Sequence, residues 1–150
     1  MSLSTRLTAA FGRVGTEIKT LRNQVNTVEG YSKRWEQEIL VQAGVRELGY
    51  GPALKGLYIP YNIKLVGIRY EFETPTTSGT TTGRIWLNNS STLASSTNMS
   101  ISALNLGQTI NGLNINIDGG SRLSFETTAI GIGSGTIGEG LYMALWGEYR

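Results

Sequence analysis

Val66-Gly67-Ile68-Arg69-Tyr70-Glu71-Phe72-Glu73 decides the fold class. Val66, Ile68, Tyr70 and Phe72 alternate with Gly67, Arg69, Glu71 and Glu73. A period of two sends successive side chains to opposite faces of a strand, so the segment predicts a half-buried strand. The same period continues downstream. Strands are expected at Arg84–Asn88, Met99–Leu106 and Leu113–Ile117, separated from the first by a polar loop, Thr74 to Gly83, with six Thr and no charge. Asp118-Gly119-Gly120 predicts a hairpin turn, because glycine supplies positive φ at little cost. Arg122–Ile132 alternates through Leu123, Phe125 and Thr127. A glycine loop, Gly131 to Gly140, leads into a last strand, Leu141–Tyr149. There Leu141, Met143 and Leu145 face one way and Tyr142, Ala144 and Trp146 the other. Both faces are apolar, which predicts a central strand or one at a subunit interface. Many short strands without a helix among them read as a mainly β domain over residues 57–150, a small antiparallel β-sandwich of jelly-roll type.

Upstream the period changes. Leu7, Phe11, Val14, Ile18, Leu21, Val25 and Val28 are spaced 4, 3, 4, 3, 4, 3, a strict heptad. Phe11, Ile18 and Val25 take the a positions, and Leu7, Val14, Leu21 and Val28 the d positions. Glu17 at g and Arg22 at the following e form the pair that neighbouring helices use to set register. Ser2 and Ser4 offer capping oxygens, and Gly30 suits a helix stop. Such a stripe is either the buried face of a lone helix or the seam of a coiled coil. Its narrow face and 3.5 period favour the seam. β-branched residues at both a and d, without Leu dominant at d, favour three strands over two. Gly12 and Gly15 weaken so short a stalk, so the rest of the chain is expected to help hold a homotrimer together. Residues 1–29 thus read as a coiled-coil stalk and anchor. Residues 30–56 read as a transition, with Tyr31, Trp35 and Ile39-Leu40-Val41 apolar among charges. A continued helix and a first strand both fit.

Composition excludes more than it assigns. The 150 residues include no His and no Cys, and Asp118 is the sole aspartate. The commonest general base, the commonest metal ligand, disulfides and thiolate chemistry are therefore absent. No catalytic, cofactor-binding or metal-ligating residue is assigned, and no cofactor is expected. Residues 1–55 carry net +3 and residues 56–150 net −1, and no charge falls between Ile85 and Ile117. A neutral β domain is a poor ligand for phosphates, so nucleic acid is not an expected partner. The opening residues lack the apolar core of a signal peptide, and no run is long enough for membrane insertion, so a product made in the host cytoplasm is expected.

Sharper motifs yield to plainer ones. Gly133-Ser134-Gly135-Thr136-Ile137-Gly138 matches the dinucleotide pattern G-x-G-x-x-G, but a strand follows where a helix is required. Glu71 and Glu73 are adjacent on one face of one strand, whereas a glycosidase needs carboxylates facing each other across a cleft. One carboxylate, Asp118, is too few for calcium. Trp86, Tyr142, Trp146 and Tyr149 would stack on sugars if exposed. Alternation favours core or trimer interface for Trp146 and Tyr142.

Four stretches carry a resemblance. Tyr58-Ile59-Pro60 through Lys64-Leu65-Val66-Gly67-Ile68, Ile85-Trp86-Leu87-Asn88-Asn89-Ser90-Ser91, Gly119-Gly120-Ser121-Arg122-Leu123-Ser124-Phe125 and Gly138-Glu139-Gly140-Leu141-Tyr142-Met143-Ala144-Leu145-Trp146-Gly147 together look like a β domain common in tailed-phage virion proteins. The opening, Leu3-Ser4-Thr5-Arg6-Leu7 through Thr16-Glu17-Ile18-Lys19-Thr20-Leu21-Arg22, is similar to the N-termini of many phage minor tail and fibre proteins. The stretches span about two thirds of the chain. Gly120-Ser121 departs from the usual Gly-Asp, and Asn89 stands where Gly often follows Asn. The resemblance implies a trimeric virion surface protein, without enzymatic activity, attached to other virion proteins through its N-terminal region. A tail fibre or minor tail protein with adhesion to host surface glycans is the expectation. A capsid decoration or head-fibre protein is the alternative, and a carbohydrate-active enzyme on a jelly roll a remote one.

Overall fold

The computed structural model describes residues 3–50, 56–131 and 135–150, with side chains described in the helix for residues 11–25. The chain divides into two compact units, Met1–Arg34 and Trp35–Arg150.

The first unit is one helix, α1, Leu3–Ser32. It contains the whole heptad segment. It also runs through Gly30, where a stop was expected. Gly30 is not among the positive-φ glycines, so it makes no left-handed cap. No proline interrupts the segment, and one internal glycine costs only about 1 kcal/mol. Thr16 and Thr20 donate their hydroxyls to the carbonyls of Gly12 (3.0 Å) and Thr16 (3.1 Å), one turn back.

The second unit is built from strands. They are β1 (Arg34–Val45), β2 (Leu57–Tyr58), β3 (Ile63–Glu71), β4 (Thr80–Leu87), β5 (Ser91–Thr92), β6 (Met99–Ser102), β7 (Gly107–Ile110), β8 (Ile115–Ile117), β9 (Arg122–Ala129) and β10 (Glu139–Tyr149), with a 3-10 turn at Ser95–Thr97. They form two antiparallel sheets. The first runs β1-β10-β3-β7, with β8 also on β3; the second runs β2-β9-β4-β5, with β6 also on β4. The inner faces of both make one core: Ile68, Tyr70, Leu141, Met143 and Leu145 meet Ile85, Met99, Ile101, Leu123 and Phe125. Each such side chain contributes about 1.5–3 kcal/mol on burial. Tyr70 and Phe125 meet across the core as tilted rings, 5.4 Å between centroids, and the Tyr70 hydroxyl donates to the Thr97 carbonyl. Arg46, just past β1, is buried, with its Nη1 reaching the carbonyls of Thr74 (2.9 Å), Glu139 (3.1 Å) and Gly140 (3.2 Å).

Several sequence expectations change here. The segment 30–50 is both alternatives at once, the end of α1 and then strand β1. Gly51 and Pro52 lie outside the described residues. The Thr-rich stretch after residue 74 is a loop only to Gly79; Thr80 to Thr82 open β4, as β-branched residues favour. Met99–Leu106 is not one strand. It turns at Leu104, which takes a left-handed φ of 67°, and β7 follows. Asp118-Gly119-Gly120 turns the chain, with Gly120 at φ 87°, but does not make a hairpin. β8 belongs to the first sheet and β9 to the second. The turn's amides are taken by the segment before β3: Gly119 donates to Asn62 Oδ1 (2.8 Å) and Gly120 to the Ile59 carbonyl (2.8 Å). The chain thus crosses between sheets.

Candidate functional site

β10 lies between β1 and β3, so its outer face has neighbours on both sides. The ladder sets Tyr142 opposite Glu71, Ala144 opposite Arg69 and Trp146 opposite Gly67. On the next strand Thr109 stands opposite Arg69. A β-bulge makes this row possible. The pairing steps from Trp146–Gly67 directly to Gly147–Leu65, leaving Val66 unpaired with β10. Ile63 and Leu65 therefore point into the core alongside Ile68 and Tyr70, while Val66 is only half-buried. Simple alternation placed Val66 on the buried face; the extra residue displaces it.

The bulge leaves Gly67 facing outward beneath the Trp146 indole. Cζ2, Cε2 and Nε1 of that ring occupy the space a Cβ at Gly67 would need. The result is a groove of about 460 Å³, lined by Glu36, Glu38, Arg69, Glu71, Thr109, Tyr142, Ala144 and Trp146. Arg69 and Glu71 pair across its side at 2.8 Å. Among the described residues neither Glu36 nor Glu38 is paired with a cation. The site carries three carboxylates against one guanidinium. Tyr142 and Trp146 are half-buried in the single chain, so of the two placements that alternation favoured, core and trimer interface, the core is set aside. A strand central in its sheet still has an outer face, and among the described residues no layer of this unit covers it.

The second sheet presents a different aromatic. Trp86 donates its Nε1 to Glu126 Oε2 (2.8 Å), which also accepts from Arg84 Nε (2.7 Å). The Arg84 guanidinium lies 4.8 Å from the centre of the Trp86 ring, and Tyr50 packs beside it at 6.3 Å. The Arg84 hydrogen bond first, and the indole second, hold the Glu126 carboxyl below the usual carboxylate range. Both donors in this cluster converge on the one carboxylate oxygen, Glu126 Oε2. Tyr149 packs edge-on against Tyr61 at 5.8 Å, exposed near the chain end.

The heptad residues form the other candidate surface. Phe11, Val14, Ile18, Leu21 and Val25 are each between 51% and 70% exposed. The side chains of Leu7 and Val28 lie outside the described residues. An exposed apolar stripe of this kind is costly to leave in water. Residues 133 and 134 of the G-x-G-x-x-G match lie outside the described residues too. Among the described residues no three His, Cys, Asp or Glu side chains gather as a metal site, and no helix is long and apolar enough to cross a membrane.

Sequence reasoning named the stripe, of which Phe11, Val14, Ile18, Leu21 and Val25 have described side chains. It named Tyr142 and Trp146 but not the groove, because the bulge and the pairing of β1 with β10 leave no local signature. Comparison with protein-family models, curated proteins and solved structures finds no match to this chain.

Proposed function

We propose that this chain is a non-enzymatic structural component of a phage virion, a trimeric tail fibre or minor tail protein with adhesion to the host surface. The α1 helices of three copies associate as a coiled coil that anchors to other virion proteins. The second unit is a small jelly-roll-like β-sandwich and forms the outward module. The observation that carries the reading is the heptad stripe, whose five described side chains are exposed in the single chain. Burying them against two further copies removes apolar area from water at about 25 cal/mol per Å². The nesting of the β4–β9 pair within the β3–β10 pair is the pairing order of a jelly roll, which supports the architecture. The lack of His and Cys, and the engagement of Glu71 and Glu126 by arginines, support a role without catalysis.

Size exclusion with light scattering on the full chain tests the assembly. A mass of about 49 kDa, three times the 16.3 kDa chain, is expected. A monomer at micromolar concentration sinks the stalk. Labelled antibody on phage particles from the same host tests location; particles without label sink the virion assignment.

A further inference from the structure

We propose that the groove on the outer face of the first sheet binds oligosaccharides of neutral or amino sugars, with a sugar ring stacked on Trp146. The inference rests on the reading of the β unit as an outward, adhesive module, and names its site and ligand class.

The geometry supplies what a sugar needs. A pyranose presents C–H bonds on its faces and hydroxyls around its rim. An aromatic face, negative by its quadrupole, attracts the C–H face. Trp146 is held for this by construction: the bulge at Val66 brings Gly67 opposite it, and the missing Cβ lets the indole settle over the sheet. The platform rests on a central strand, so little ordering cost falls on binding. Tyr142 lies four residues along the same face, about 13 Å away at roughly 3.3 Å per residue. Ala144 between them keeps the floor low. The groove therefore accommodates more than one linked ring, and its volume falls in the range of small-molecule sites.

The rim sets the chemistry. Glu36, Glu38 and Glu71 accept hydrogen bonds from hydroxyls, and such charge-assisted bonds are the stronger kind. Arg69 and Thr109 donate in return. Three carboxylates against one guanidinium repel uronic acids, sialic acids and phosphorylated sugars. The same excess attracts an ammonium group, so amino sugars gain over their neutral counterparts.

The test uses the full-length chain on a printed array of neutral, amino-bearing and acidic oligosaccharides, followed by tryptophan-fluorescence titration of the best ligand. Binding to neutral or amino-bearing members is expected, with acidic members silent. Trp146→Ala is expected to weaken it by about tenfold or more, equivalent to about 1.4 kcal/mol. Gly67→Ala keeps the tryptophan but displaces its ring, and a similar loss is expected. The double variant Glu36→Gln, Glu38→Gln changes two exposed side chains without threatening the fold. It should erase the preference for amino over neutral sugars. The site is overturned if no glycan binds, if only acidic glycans bind, if the Trp146 variant binds unchanged, or if oligolysine binds and sugars do not. A trimer that binds no sugar removes this site and leaves the appendage standing. A monomer that binds sugar does the reverse.

Discussion

The guanidinium of Arg46 lies 3.7 Å from the centre of the Phe72 ring, inside the β unit. Its Nη1 bonds three carbonyls from the loop after β3 and the start of β10, and its backbone amide donates to the Gly138 carbonyl (3.2 Å). Burial pushes the guanidinium below its usual value, and among the described residues no carboxylate forms an ion pair with it. Arg46→Met fills similar space but removes all three side-chain bonds, leaving the Thr74 and Glu139 carbonyls only each other's backbone amides. A loss of about 3 kcal/mol is expected, read as a lower urea midpoint with unchanged slope. An unchanged midpoint would show that Arg46 merely fills space.

Ile18 and Leu21 sit at adjacent a and d positions and are exposed in the single chain. Replacing both by Asp places unpaired charge in any seam they form, which association cannot tolerate. The double variant should elute as a monomer with the β unit still folded by circular dichroism. Unchanged mass would refute the coiled coil.

Tyr70 is fully buried, and its hydroxyl donates to the Thr97 carbonyl beside the 3-10 turn. Burial pushes the phenol's pKa up, so it stays protonated and donating across the working range. Tyr70→Phe keeps the tilted ring contact with Phe125 and strands that carbonyl. The expected cost is about 1–2 kcal/mol in thermal or urea unfolding, and a neutral result would mean water replaces the hydroxyl.

Glu126 titrates below its ordinary value because Arg84 and Trp86 donate to its charged form. A carboxyl lowered on folding adds stability above its unfolded pKa and loses it as pH falls through the folded one. Glu126→Gln should therefore be less stable than the parent at neutral pH. The difference should shrink as pH drops through the carboxylate range below 4.5. Urea midpoints of both proteins between neutral and acid pH check this; a constant gap would mean the contribution is not electrostatic.

Periodicity carried most of the architecture because it is a local property. The alternation of Ile68, Tyr70 and Phe72, of Leu123, Phe125 and Thr127, and of Leu141, Met143 and Leu145 is borne out by burial of all nine. Pairing was less legible. Asp118-Gly119-Gly120 has the composition of a hairpin, yet the partners of its amides, Asn62 and Ile59, lie far back in the chain. β7 went unseen because Gly107-Gln108-Thr109-Ile110 has one large apolar residue to announce it. The groove needed long-range information of the same kind. Glu36 and Glu38 sit more than a hundred residues from Tyr142, and only the order of the sheet brings them to one face.

Seen through changes of length instead of side chain, the bulge in β3 gives the strand one place to shorten. Deleting Val66 would close the ladder into strict alternation and leave Ile63, Leu65, Ile68 and Tyr70 all inward. Deleting Gly67 would preserve the same inward set but put valine beneath Trp146. Losing a residue elsewhere within the strand would turn part of it inside out. Among descendants of this sequence, a gap at position 66 is the one that keeps both the core and the indole's seat.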